Sequence, residues 1–203
     1  MNVKLASLIL AAGASLRFGE NKFLTKLGDQ SLLERTLKSF INNQELRKEV
    51  IVITGHYTKE LEPILKKYKV KQIHNPSFNL GMSSSIQTGL DELKNNINEY
   101  TGILVHPGDI PFITSQDLDR LLLCHKASPN KIIIPKFNNK RGHPIIIPKS
   151  MFQELNKIEE DNHGLRGLIR ASESEIKYVN VNNQGILEDV DTKKDLDELS
   201  HLR

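Results

Sequence analysis

The chain has 203 residues, 28 of them Lys or Arg against 25 Asp or Glu, for a formal net charge of +3. That length suits one domain around one buried core, taken as 1–203, and the interspersed charges leave no basic block or aromatic-interleaved stripe to track nucleic acid. A single cysteine, Cys124, excludes an internal disulfide, no apolar run approaches the roughly 20 residues of a membrane-spanning helix, and the first residues enter an apolar run without a basic leader, so the expected setting is cytoplasmic with no membrane or nucleic-acid partner.

In chain order, apolar runs predict strands at 3–10, 49–54, 70–74, 102–106, 131–135, 143–147 and 175–181. Amphipathic stretches predict helices at 31–41, 59–68, 84–95, 115–125, 150–157, 163–170 and 192–200. Runs such as Val50-Ile51-Val52-Ile53 and Ile132-Ile133-Ile134 are apolar on both faces, as a sheet covered on both sides requires. The expected fold class is therefore α/β, a three-layer α/β/α sandwich on a mostly parallel sheet. In such sheets ligands bind beyond the carboxyl ends of the strands, where strand order reverses. Cys124 lies in a leucine-rich helical stretch and reads as a small core residue. Seven histidines include no pair three or four apart, so a structural zinc site has no support.

The first strand runs into Leu10-Ala11-Ala12-Gly13-Ala14-Ser15-Leu16-Arg17-Phe18-Gly19-Glu20-Asn21-Lys22. Small side chains let backbone amides approach an anion, and Gly13 is expected to supply a conformation closed to other residues. Arg17 adds a planar fork of donors and Lys22 a mobile point charge, which together make a triphosphate cradle. It is not a P-loop, because Gly13 and Gly19 stand one residue too far apart and Phe23 follows Lys22. Nor is it a dinucleotide fingerprint, since Ser15 replaces the second glycine and the second strand ends Ile53-Thr54-Gly55-His56 with no acid.

Downstream, Asn75-Pro76 and Gly81-Met82-Ser83-Ser84-Ser85 lead into a helix, and the three hydroxyls either meet a ligand or cap the helix. Pro107-Gly108-Asp109-Ile110-Pro111 puts a carboxylate just past a buried strand, poised for a cation or capping a turn. Arg141-Gly142-His143-Pro144 and the segment from Asn162 to Gly167 with Arg166 suit an acidic second substrate, or present surface charges. Glu188-Asp189-Val190-Asp191-Thr192 sends Asp189 and Asp191 to one face of an extended segment, with Asp191 either a metal ligand or a helix cap. Mg²⁺ is commonly held by one or two carboxylates plus water and substrate phosphates, which Asp109 and Asp191 can supply.

Taken in order, these motifs, with Gly89-Leu90, resemble the MobA-like nucleotidyltransferase family over about residues 4–199. Within it they look most like molybdenum cofactor cytidylyltransferases. The resemblance implies a nucleotide-diphospho-sugar transferase-like, Rossmann-like fold, and an enzyme that joins a nucleotide to a phosphorylated acceptor and releases pyrophosphate with Mg²⁺ as cofactor. It assigns Arg17, Lys22 and Asp109 to catalysis, Leu10, Ala11, Ala12, Gly13, Ser83, Ser84 and Ser85 with those three to the nucleotide, and Asp109 and Asp191 to the metal. Arg141, Gly142, His143 and Pro144 match a loop facing the second substrate. Guanylyltransferases of the family typically read Leu-Ala-Gly-Gly where this chain has Ala12 before Gly13, which favours CTP over GTP. The implied partners are that nucleotide and molybdopterin or another phosphorylated small molecule, with a molybdoenzyme recipient left open. A GTP-using molybdenum cofactor guanylyltransferase, a sugar or polyol phosphate acceptor, and a non-catalytic carrier of the cofactor are the competing readings. A phosphate monoester, with its second pKa near ~6, is already an oxyanion at neutral pH and needs no general base.

Overall fold

Seven small or apolar residues, Leu5–Ala11, form the buried strand β1, and their alternation sorts the core into two layers. The structure, a computed structural model, describes residues 3–199; residue 200, the end of the predicted 192–200 helix, lies outside that range. Leu5, Ile9 and Ala11 face α1 (Leu32–Ile41), α2 (Thr58–Lys67) and α4 (Ser115–Ala127). Ala6, Leu8 and Leu10 face α3 (Met82–Leu93), α5 (Phe152–Leu155) and α6 (Gly164–Ala171). Each fully buried Leu or Phe in these layers contributes about 1.5–3 kcal/mol of transfer free energy.

The short pair β2 (Lys26–Leu27) and β3 (Gln30–Ser31) forms a separate antiparallel ribbon turning at Gly28, whose φ is 75°. The main sheet takes in β4 (Val50–Thr54), β5 (Lys71–His74), β6 (Gly102–Pro107), β7 (Ile132–Phe137), β8 (Lys140–Arg141), β9 (Ile145–Pro148) and β10 (Ile176–Asn180). Its order is β10-β7-β9-β6-β1-β4-β5, with β8 paired to β7. β1 pairs in parallel with both β4 and β6. The chain therefore builds outward on one side of β1 and then returns to its other side, which places the reversal of strand order at the carboxyl end of β1.

Two strands, β8 and β9, break the parallel pattern. Asn138 and Asn139, at φ 46° and 61°, make the two-residue turn that joins β7 to β8, and the chain comes back as β9 antiparallel to both β6 and β7. Val105 pairs with Ile145, so the segment just before β9, Gly142–Pro144, lies at the sheet end where β6 runs out toward Asp109.

A third apolar cluster of Phe18, Leu27, Leu32, Phe112, Val190 and Leu199 sits beneath the loops at that end. It ties the glycine turn after β1 to the C-terminal segment. The helix α7 (Lys193–Glu198) begins there with a capping box in which Thr192 Oγ1 accepts from Asp195 N at 3.2 Å. Thr192, not Asp191, is the cap, which leaves the Asp191 carboxylate free. Cys124 is half-buried and packs against the core, and burial pushes its thiol pKa up. No described helix is long and apolar enough to cross a membrane.

Candidate active site

The turn after β1 is built differently from the sequence expectation. Gly13 does not hold a positive φ; Ser15 at φ 51° and Gly19 at φ 83° do, because the chain leaves β1 still extended and turns only afterwards. Phe18 N and Gly19 N both donate to Ser15 O, at 2.9 and 3.1 Å. Phe18 anchors the turn in the third cluster, while the Arg17 side chain beside it is 73% exposed. His56 N donates to Ala12 O at 3.1 Å and Tyr57 Oη to Ala14 O at 3.0 Å, which hold the turn against the end of β4. At Gly55 a side chain is excluded, since a Cβ would lie 2.5 Å from Ala12 O and 2.6 Å from Phe78 Cβ.

Lys22 opens a single helical turn, Lys22–Leu24, with Phe23 buried beneath it. Only 7% of Lys22 is exposed. Its Nζ donates to Asp109 Oδ2 at 2.6 Å and to Asp191 Oδ1 at 2.8 Å, and Arg17 donates from its guanidinium to Asp191 Oδ2 at 2.6 Å. Two carboxylates far apart in sequence thus converge on one ammonium. A backbone bond from Val190 N to Asp109 O at 3.0 Å joins the two loops that carry them. The Asp109 turn is further held by Thr36 Oγ1 donating to Gly108 O at 3.1 Å, and by His106 Nε2, whose partner Ile110 O at 3.0 Å only accepts and so fixes the proton on Nε2. Burial, helped by the nearby His143, holds His106 neutral with its pKa down at about 3.

Electrostatics follow from this packing. Burial opposes the Lys22 charge, yet Asp109 and Asp191 outweigh it and raise the Lys22 pKa. Burial likewise opposes the Asp191 charge, but Lys22 and Arg17 prevail and hold its carboxyl below the usual range. Asp189 moves the other way, raised by desolvation and by the Asp191 and Asp109 charges. One acid of the neighbouring pair is thereby kept ionised at the expense of the other.

These groups line a cleft of ≈ 460 Å³ at the carboxyl ends of β1 and β6. Of the nucleotide candidates, Leu10, Ala12, Gly13, Arg17, Lys22, Ser85 and Asp109 line it, as does Asp191. Ala11 does not, because the next position along β1 points to the opposite core layer. Ser83 and Ser84 do not either: Ser83 turns inward, and Ser84 Oγ donates to Ser77 O and Gly81 O at 2.9 and 2.8 Å. None of the three caps α3 with its side chain; Glu160 does so from another segment, accepting from Ser83 N at 2.6 Å. Asn75 Nδ2 holds Ser84 and Ser85 by donating to both hydroxyls, at 2.9 and 3.0 Å. Leu16, Phe78 and Met82 add an apolar wall that sequence reasoning, drawn to Gly81 and the three serine hydroxyls, did not single out.

The second-substrate candidates lie outside this cleft. Arg141 is exposed and donates to Glu173 Oε1 at 2.7 Å, beside a separate surface hollow. Gly142 N and His143 N bond backbone carbonyls of Pro135 and Ile186 at 2.9 and 3.0 Å, and a cis peptide bond joins His143 to Pro144. His143 is held neutral, down at about 4, by burial and then by Arg166. The loop thus reaches the right end of the sheet, while Arg141 itself turns to Glu173.

Among the described residues no group of three or more His, Cys, Asp and Glu is arranged to hold a metal. The fitting donor set is smaller and harder: the oxygens of Asp109 and Asp191, already gathered around a cation in the form of the Lys22 ammonium. Two carboxylates completed by water and phosphate oxygens suit Mg²⁺.

The chain is 24% identical over 198 residues to a protein named probable molybdenum cofactor guanylyltransferase from Thermococcus sibiricus, covering 95% of each. It is 29% identical over 161 residues to the bifunctional protein GlmU of Prochlorococcus marinus, 77% of this chain but 34% of that protein. Over 118 residues it is 31% identical to the 2-C-methyl-D-erythritol 4-phosphate cytidylyltransferase of Thermosipho melanesiensis, 57% of this chain and 50% of that one. It therefore spans only a third to a half of the last two relatives. In fold it matches Rv0371c from Mycobacterium tuberculosis at a TM-score of 0.84 with 21% identity, covering 99% and 100% of the two chains. A structure titled as a manganese complex of Rv0371c matches at a TM-score of 0.79 with 20% identity, covering the same shares. These matches show that the sandwich shares its fold with those structures over nearly its whole length. The sequence pattern of the MobA-like NTP transferase domain covers residues 7–176, and the chain belongs to that family.

Proposed function

We propose that this chain is a Mg²⁺-dependent nucleotidyltransferase that joins CTP to the terminal phosphate of molybdopterin and releases pyrophosphate. The observation that carries the reading is the Lys22 ammonium held at 2.6 and 2.8 Å between Asp109 and Asp191, beneath the turn that carries Gly13 and Arg17. A phosphate oxygen of the acceptor forms the new bond to the α-phosphorus as the bond to the bridging oxygen of the β-phosphate breaks. Lys22 and Arg17 meet charge on the triphosphate, the small residues of the turn let its backbone approach, and Leu10, Ala12 and Met82 give the same cleft an apolar lining. A divalent cation held by Asp109 and Asp191 would neutralise the phosphates and favour pyrophosphate departure. Alignment and charge stabilisation supply the catalysis.

CTP is favoured by Ala12 preceding Gly13, and the acceptor by the full-length similarity to the Thermococcus protein. A polyol phosphate acceptor is the second reading, favoured by the 31% identity to the Thermosipho enzyme. The test is pyrophosphate release by purified protein with each nucleoside triphosphate, Mg²⁺, and molybdopterin or methylerythritol phosphate. CTP-selective release with molybdopterin supports the proposal. Release only with GTP, or only with the polyol phosphate, replaces it, and nucleotide binding without release makes the chain a carrier.

A further inference from the structure

We propose that Lys22 is a resident placeholder for the divalent cation, which the arriving metal displaces toward the triphosphate, so that metal and nucleotide bind cooperatively. This rests on the reading of the cleft as a metal and triphosphate site. The geometry is that of a filled cation position: one ammonium donates to one oxygen of each carboxylate, and both carboxylates are largely covered, at 21% and 24% side-chain exposure. Arg17 takes the remaining oxygen of Asp191. The two negative charges of Asp109 and Asp191 are thus matched by the two positive charges of Lys22 and Arg17, with Asp189 beside Asp191 as a further acid.

That pairing penalises either ligand alone. A metal ion without a triphosphate must strip the carboxylates of Lys22 and leave a buried ammonium with no anion to meet. A triphosphate without a metal ion must draw cations from carboxylates that then face it uncompensated. Arriving together, the metal takes the carboxylates while the triphosphate takes Lys22 and Arg17, and every charge keeps a partner. The flexible four-carbon stem of Lys22 suits such a swing, as does the exposed guanidinium of Arg17. Linkage makes the effect reciprocal: the factor by which triphosphate tightens metal binding is the factor by which metal tightens triphosphate binding.

The test uses Mn²⁺ alone as probe, with free Mn²⁺ counted by electron paramagnetic resonance. Lys22→Met is expected to bind Mn²⁺ at least tenfold more tightly than the native protein without nucleotide, about 1.4 kcal/mol, and adding Asp109→Asn to that variant is expected to abolish the gain. Equal or weaker binding by Lys22→Met, or a gain that survives Asp109→Asn, overturns the proposal. A second measurement needs no variant: acetylation of Lys22, followed by peptide mass spectrometry, should accelerate at least threefold with saturating Mn²⁺ and slow again when a non-hydrolysable CTP analogue is added. A rate indifferent to Mn²⁺ overturns the proposal. Absence of pyrophosphate release with every acceptor sinks the proposed reaction and leaves both metal readouts in place, so the two failures are distinguishable.

Discussion

Replacing Lys22 with Met keeps most of the buried stem and removes the charge, which isolates the electrostatic part of the centre. Two charge-assisted hydrogen bonds, at 2.6 and 2.8 Å, are lost from a side chain only 7% exposed. Bonds to charged groups are worth about 1.5–3 kcal/mol each, and removing one partner of a buried pair costs about 3–5 kcal/mol. Arg17, which keeps its bond to Asp191, relieves part of this, so a loss of about 3 kcal/mol at pH 7 is expected, the lower end of that range. For a domain of this size that lowers Tm by about 6–12 °C. The sign of the pH dependence follows from the shifts. Asp191 has a folded pKa below its unfolded one, so its contribution is present above the unfolded carboxyl value of about 3.9 and is lost as pH falls through the folded value. The raised Lys22 pKa keeps its contribution in place until strongly alkaline pH. Scanning calorimetry from pH 7 to pH 3 should therefore find a Tm gap between native protein and variant that narrows on acidification. A gap under about 2 °C at pH 7, or one that widens toward pH 3, refutes the reasoning, given the conversion above.

Other perturbations separate loop geometry from charge. Gly55→Ala places a methyl 2.5 Å from Ala12 O; overpacking of this kind costs about 1–3 kcal/mol, and calorimetric titration should find CTP binding weakened about tenfold. Val190→Ala opens a hole under the Asp191 segment; its lost methyl groups cost about 2 kcal/mol, and both Tm and turnover should fall while Asp191 itself is retained. Arg141→Ala removes an exposed ion pair with Glu173 worth about 0–1 kcal/mol, so thermal melts should shift by no more than a few degrees and CTP titrations should match the native protein.

Which features the sequence revealed, and which it concealed, has physical causes. Doubly apolar runs such as Val50–Ile53 read as buried strands because burial on both faces leaves no other pattern. Direction leaves no such trace: β9 is as apolar as its neighbours, and only the adjacent Asn138-Asn139, residues that tolerate left-handed backbone, marked the reversal. The glycine turn was legible as an anion cradle, yet which residue holds the left-handed conformation depends on where the chain leaves the sheet, and Ser15 rather than Gly13 carries it. Three consecutive serines looked equivalent, but a helix turns about 100° per residue, so only Ser85 faces the cleft. That Asp109 and Asp191 share Lys22 depends on Val190 filling the third cluster and bonding Asp109 O, a tertiary fact without a local signature.

The most direct test of the centre is anomalous diffraction at the manganese edge from crystals grown with Mn²⁺ and a non-hydrolysable CTP analogue. The expected result is a manganese peak bonded to carboxylate oxygens of both Asp109 and Asp191 and to the phosphates, with Lys22 Nζ moved onto the triphosphate. A manganese peak bonded to neither aspartate, or Lys22 still seated between them beside a bound nucleotide, contradicts the account.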